Sequence, residues 1–177
     1  YEACKQAGSP AMRDPNAVIY LVPQVGMLSF AKDKATARIA AEFYVNAINV
    51  MRGASSVSEY VGLPAQEAFN IEYWLLEEAK LQRMPKPKSL AGRIALVTGG
   101  AGGIGSAIAS KLLSEGACLV LADIDKASLD EVTAGFGKTY GKDNVRGVVM
   151  DVTSEDAVIS ATDQAVLAYG GLDIVVN

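Results

Sequence analysis

Histidine is missing altogether from this 177-residue chain. Its absence removes from these residues the Ser-His-Asp and Cys-His nucleophile arrangements, the usual zinc ligand sets and any histidine general base. Cysteine is nearly absent as well. Cys4 and Cys118 lie far apart without ligand spacing, and Cys118 falls in an apolar run that reads as a buried strand, so a reducing, cytoplasmic setting is expected. There is no surplus of positive charge either. The balance of 16 basic against 20 acidic side chains gives a net charge of −4 with no basic cluster, which argues against a nucleic-acid partner. Long uncharged apolar runs are also lacking. Ala17 to Ala31 is broken by Pro23, and Ile94 to Ser110 is too rich in glycine, so neither is expected to span a bilayer. No Met opens the chain and no signal-peptide pattern follows Tyr1, so the sequence reads as a piece of a longer protein.

What is present supports a folded protein. Half of the residues are hydrophobic, ample for a buried core, and the length suits one domain or two small ones. The composition changes at one seam. Met84-Pro85-Lys86-Pro87-Lys88-Ser89 alternates proline with lysine, favouring extended, solvated backbone and disfavouring helix before each proline. The expected division is residues 1–84, a linker at 85–89, and residues 90–177.

Upstream of the seam, Ala17 to Val22 is a β-prone run ended by Pro23. Asp33 is placed to cap a helix running to about Arg52, with Gly53 just beyond its end. Ile39, Phe43, Ala47 and Val50 recur at helical spacing and form one apolar face. A second helix is expected to start after Pro64 and run to about Gln82, with Ala68, Ile71, Leu75 and Ala79 on one side. Such stripes ordinarily face a core. One strand and two helices make a poor domain, because a lone strand leaves its backbone groups unpaired, so this segment reads as the tail of something larger.

Downstream, strand and helix alternate. Strands are expected at Ile94–Thr98, Cys118–Ala122, Val145–Met150 and Leu172–Val176. Helices are expected at Gly103–Ser114, from about Ser128 with Glu131 at capping-box spacing, and from Thr153 or Ser154 to Gly170-Gly171. Continuous apolar strands alternating with helices indicate an α/β fold, a doubly wound parallel sheet covered on both faces.

The chemistry lies in the first strand-to-helix turn, Thr98-Gly99-Gly100-Ala101-Gly102-Gly103-Ile104-Gly105. A tight turn uses positive φ, and a Cβ would keep a pyrophosphate from the backbone N–H groups, so glycine suits both needs. The following helix offers its positive end to phosphates. Candidate cofactor contacts are therefore Gly99, Ala101, Gly102, Gly103, Ile104 and Gly105. Asp123 ends the second strand, about 20 residues on, where a carboxylate accepts from adenosine ribose hydroxyls and repels a 2′-phosphate. The alternative for the same Asp123 is an ordinary N-cap or turn residue. The glycine turn contains no Arg or Lys, so NAD is favoured over NADP, with nearby Lys126 as the counter-indication. Asp151 and Val152 end the third strand, where the carboxylate would accept from an adenine amino group and the valine would flank the ring. A simple helix-entry aspartate fits Asp151 equally well.

These residues carry a family resemblance. Thr98-Gly99-x-x-x-Gly103-x-Gly105, Asp123, Asp151-Val152 and Leu172 to Asn177 are similar to the cofactor-binding half of short-chain dehydrogenases/reductases. The resemblance implies a Rossmann-type sheet, here of four strands, and a Ser, Tyr and Lys that act beyond the fourth strand. No catalytic residue is therefore assigned to this chain. Tyr140 and Tyr169 are not candidates, since neither is followed by Lys four residues later. Leu21-Val22-Pro23-Gln24-Val25-Gly26-Met27 with Lys32-Asp33-Lys34 resembles the C-terminal part of class II aldolase domains, with Gln24 where a glycine is expected. Arg38 to Lys88 resembles bifunctional rhamnulose-1-phosphate aldolase/short-chain dehydrogenase proteins. Zinc would then belong to the aldolase part, on ligands that this chain does not contain.

Two functions follow as expectations. One is a fragment of an NAD-dependent oxidoreductase fused to a sugar-phosphate aldolase, interconverting an alcohol and a carbonyl of lactaldehyde type in deoxy-sugar (rhamnose) breakdown. It would take a small-molecule substrate, form homo-oligomers at full length, and be inactive and aggregation-prone as this fragment because the last strand leaves an open edge. The alternative is a non-catalytic dinucleotide-binding or assembly module.

Overall fold

Short, continuous apolar runs downstream of the seam become the strands of one parallel sheet. The computed structural model describes residues 1–177. The chain starts with strands β1 (Ile19–Val22) and β2 (Gly26–Ser29), followed by helices α1 (Lys34–Val57), α2 (Ala65–Glu72) and α3 (Leu75–Arg83). After the prolines it alternates β3 (Ile94–Thr98), α4 (Gly103–Ser114), β4 (Cys118–Asp123), α5 (Lys126–Tyr140), β5 (Val145–Val149), α6 (Glu155–Tyr169) and β6 (Ile174–Val176).

The four parallel strands lie in the order β5-β4-β3-β6. The chain works outward from β3 through β4 to β5, then crosses to the other side of β3 for β6. This is the order of a doubly wound Rossmann-type sheet, and it puts the switch point between β3 and β6. Because side chains alternate along each strand, the sheet feeds two cores. Ala95, Val97, Leu119 and Leu121 face one way and pack with Ala109, Leu113 and Leu129 of α4 and α5. Leu96, Val120, Ala122 and Val148 face the other way and pack with Ala161 and Ala165 of α6.

Upstream of β3 the outcome is different, since no residue before Ala95 is buried. The expected lone strand has a partner: β1 pairs antiparallel with β2 in a hairpin. Its turn is closed by the Val25 N–H donating to Val22 O at 3.1 Å. Gln24, where the resemblance expects glycine, is the one non-glycine residue with positive φ, at 65°. Glycine is the residue that adopts this conformation without steric cost.

Asp33 caps α1 as expected, its carboxylate accepting from the Thr36 N–H at 2.7 Å. The helix does not stop at Arg52. It continues through Gly53 to Val57, because nothing reverses the chain at Gly53. The face built by Ile39, Phe43 and Val50 is exposed, with Phe43 at 73%, since no layer of this chain covers it. The helix expected after Pro64 starts there, at Ala65, but is two helices, with Trp74 extended at φ −66° and ψ 137° between them. Arg13 holds that break from outside. Its guanidinium pairs with Glu72 and Glu78 on the two helices and lies over the Tyr73 ring, 5.0 Å from the centroid. Ala68, Ile71 and Leu75 are exposed, so this stripe does not face a core either.

Smaller differences concern helix starts and strand ends. Helix α5 begins at Lys126 because Asp125, not Ser128, caps it, accepting from Ala127 N–H at 3.0 Å and Ser128 N–H at 3.3 Å. Strand β4 extends to Asp123, and β6 starts only at Ile174. Ser154 is the residue that caps α6, and Gly170 ends it in the left-handed conformation.

Candidate dinucleotide site

The site is built where β3 ends at the switch point. Gly99 leaves the strand with φ +59°, a conformation that L side chains rarely adopt. The Gly100 N–H donates to Ala122 O at 3.0 Å, so the turn lies across the end of β4. The Gly102 N–H then returns to Gly99 O at 3.0 Å. No side chain caps α4 at Gly102, and the first helical N–H with a backbone acceptor is Ser106, which donates to Gly102 O at 2.8 Å. The N–H groups of Gly103, Ile104 and Gly105 are thus left without acceptors at the positive end of a 12-residue helix.

Space explains which glycines are needed. A Cβ on Gly105 would stand 2.1 Å from Gly99 O and 3.0 Å from Gly100 Cα, so the helix start can approach the turn only without one. A Cβ on Gly103 would meet nothing within 4 Å, so this position faces open space and is free to accept a ligand's phosphates. Gly100 was not among the residues expected to contact the cofactor. Its Cβ would come within 2.7 Å of Leu121 Cδ2, so its role is to seat the turn on β4.

Asp123 stands at the end of β4, facing this turn. One carboxylate oxygen accepts from the Ala101 N–H at 3.0 Å, and the other accepts from the Asp125 N–H at 3.0 Å. Its backbone carbonyl accepts from Met150 N–H at 2.9 Å, tying it to β5. Helix capping falls to Asp125, so Asp123 is not the cap, while its bond from the Asp125 N–H two residues on is that of a turn residue. Lys126 forms an ion pair with Asp130, one helical turn along α5. Beside Asp123, Ile124 is 68% exposed.

Asp151 and Val152 lie at the same end of the sheet. The Asp151 carboxylate accepts from the Thr153 N–H at 2.9 Å and from its hydroxyl at 2.7 Å. These bonds, the hydroxyl first, hold its pKa below the ordinary value of 3.8. Only one of its oxygens is used this way, and the other carries no hydrogen bond. Val152 is 56% exposed, an uncovered apolar side chain next to that carboxylate. Across the switch point, the Thr98 hydroxyl donates to Asn177 Oδ1 at 2.9 Å. That bond joins the carboxyl ends of β3 and β6, and its sequence signal was a hydroxyl and an amide at two strand ends.

The geometry fits a dinucleotide. The cradle at Gly99–Gly105 has unpartnered N–H donors at a helix start, and a carboxylate stands one strand away. No group of three or more His, Cys, Asp or Glu side chains gathers in a way that could hold a metal ion.

Residues 93–177 match the family model described as short chain dehydrogenase. Residues 1–81 match the model described as aldolase class II, second domain. An uncharacterized oxidoreductase YuxG from Bacillus subtilis (strain 168) is 40% identical over 159 residues, covering 90% of this chain and 23% of that protein. Sex determination protein tasselseed-2 from Zea mays is 43% identical over 94 residues, covering 52% of this chain and 26% of that one. Among solved structures, a short chain dehydrogenase from Mycobacterium smegmatis is 39% identical with a TM-score of 0.48, covering 55% of this chain and 42% of that one. The chain spans 23% to 32% of the length of the first curated relatives it matches.

Proposed function

Because residues 93–177 belong to the short-chain dehydrogenase family and residues 1–81 to the second domain of class II aldolases, we propose that this chain holds the adenosine and pyrophosphate of NAD for a fused oxidoreductase. The observation that carries the reading is the Asp123 carboxylate bonded to the Ala101 N–H, which fixes a negative charge beside the glycine cradle. Gly99, Ala101, Gly102, Gly103, Ile104 and Gly105 take the pyrophosphate, and Asp123 takes the ribose hydroxyls. A 2′-phosphate would meet the Asp123 charge, and Lys126 has Asp130 as an exposed ion-pair partner one helical turn along. Asp151 offers its free oxygen to the adenine amino group, and Val152 flanks the ring.

When bound, NAD supplies a hydride acceptor. This chain's residues do the binding and orienting, and the residues that move the proton lie outside it. The parent protein interconverts an alcohol and a carbonyl. A lactaldehyde-type substrate and a place in deoxy-sugar (rhamnose) breakdown agree with the fusion to an aldolase, in which the lyase releases a small aldehyde that the dehydrogenase consumes. On this reading zinc serves the aldolase part, the parent is a cytoplasmic homo-oligomer, and the present fragment alone is inactive. No helix here is long and apolar enough to cross a membrane.

The test offers the full-length protein a 1,2-diol with NAD or NADP, and lactaldehyde with the reduced form of either, following the reduced nicotinamide by absorbance. Turnover with NAD and little with NADP is expected. Turnover with NADP alone, or no binding of either dinucleotide, would overturn the proposal.

A further inference from the structure

A second recess opens at the opposite end of the sheet. It is a cleft of about 620 Å³, bounded by β2, the start of α1, the first residues of β3 and β4, and the end of α6. Pockets that bury small ligands run to about 300–1,000 Å³. Its lining includes the part-exposed apolar residues Leu28, Phe30 and Val166, with Lys32 and Lys34 among its charged groups. The charges in it are unevenly satisfied. Asp33 is committed to the Thr36 N–H, and Arg38 pairs with Glu42 at 2.9 Å and with Asp143 at 3.6 Å. Lys32 and Lys34 pair with no carboxylate. The Lys34 ammonium lies over the Tyr169 ring, 5.3 Å from the centroid. Tyr169 is half-buried at the cleft, and its hydroxyl makes no hydrogen bond. Burial pushes this phenol's pKa well up, so it stays a neutral donor at any physiological pH.

We propose that this cleft binds an organic anion, a carboxylate or phosphate monoester on a short apolar body, with its head on Lys32, Lys34 and the Tyr169 hydroxyl and its body against Phe30 and Val166. The charge complementarity is specific. Lys32 and Lys34 form no salt bridge and the Tyr169 hydroxyl donates to nothing, and all three residues line the recess beside one carboxylate, Asp33, which is committed to capping α1. Ile94 and Cys118 are the first residues of their strands, so the site is separated from the glycine cradle by the length of β3. It touches both family segments, so an occupant would bridge them.

The test is fluorescence titration of the full chain with anilinonaphthalene sulfonate, an anionic aromatic probe, competed by octanoate, octyl phosphate and octylammonium. Displacement by the two anions and not by octylammonium is expected, and saturating NAD should leave the probe in place. The double variant Lys32→Ala/Lys34→Ala should weaken probe and octanoate binding by about tenfold, the scale of one lost charge-assisted hydrogen bond. Tyr169→Phe should weaken it by a few-fold, with the fold intact by circular dichroism. Phe43→Ser, on the exposed outer face of α1, should change nothing. Equal displacement by octylammonium, displacement by NAD, unchanged affinity in the double variant, or loss of binding in Phe43→Ser would each overturn the proposal.

Discussion

The Asp123 carboxylate accepts a hydrogen bond from the Ala101 N–H at 3.0 Å, linking the end of β4 to the middle of the glycine turn. One side chain thus shapes the cradle and sets its charge. Asp123→Ala should lower NAD affinity by about tenfold or more, the scale of lost hydrogen bonds from a charged group. NADP affinity should fall less or rise, because the repulsion of the 2′-phosphate is gone. Paired titrations of both dinucleotides measure the ratio. An unchanged ratio would remove Asp123 from the site.

Gly105 and Gly103 separate architecture from ligand contact. Gly105→Ala would force a Cβ to 2.1 Å from Gly99 O, so the turn must open. We expect a loss of about 1–3 kcal/mol in stability, the usual cost of overpacking, together with loss of dinucleotide binding. Gly103→Ala meets nothing within 4 Å in the protein, so the unfolding midpoint should stay put or rise slightly. NAD binding should still weaken, because the added methyl group occupies the phosphates' approach. Thermal denaturation and NAD titration of the two variants give the comparison.

Local chemistry was legible in the sequence where the interaction itself is local. Asp33 caps α1 because the acceptor and the Thr36 N–H are three residues apart, and the spacing from Gly99 to Asp123 follows from one strand-helix-strand unit. The parallel sheet was legible because runs such as Cys118 to Ala122 are apolar at every position, and all five are buried. The stripe through Ile39, Phe43 and Val50 was legible as a face but not as an exposed one, since periodicity carries no information about what covers it. Strand β2 carries no strand signal of its own, because Gly-Met-Leu-Ser has neither length nor β-branched residues. The break at Trp74 depends on Arg13, some 60 positions away in sequence, and no pattern within the helix announces it. Gly100 was read as part of a glycine run, and only the seating of Leu121 beneath it shows why a side chain is excluded there.

Leu121 therefore joins core and site. It is fully buried between β3 and the helices α4 and α5, and its Cδ2 lies 2.7 Å from where a Gly100 Cβ would be. Leu121→Ala should cost about 2–5 kcal/mol, the range for emptying a buried leucine site. NAD binding should weaken as well, because the turn loses its support. Phe43→Ser, at a position 73% exposed, should change stability by no more than about 0.5 kcal/mol. Urea denaturation of both variants makes the contrast, which is also a contrast between the covered and uncovered apolar faces of the chain.

Asp173 gives the acid side of the stability profile a specific origin. Its carboxylate accepts from the Ile94 N–H at 2.8 Å and from Arg93 at 3.1 Å, where β3 and β6 begin. The backbone bond first, then the arginine, holds its pKa below the ordinary value of 3.8. A carboxylate with a lowered folded pKa contributes stability that is fully present above its unfolded pKa. That contribution is lost as pH falls from about 3.8 through the lower folded value. Asp173→Asn should therefore be less stable than the native chain at neutral pH, and the gap should narrow as the pH is taken below 3.8. Unfolding midpoints of both proteins across pH 7 to 2 follow the gap directly. A constant gap over that range would mean that Asp173 contributes through packing at the start of β6 and not through its charge.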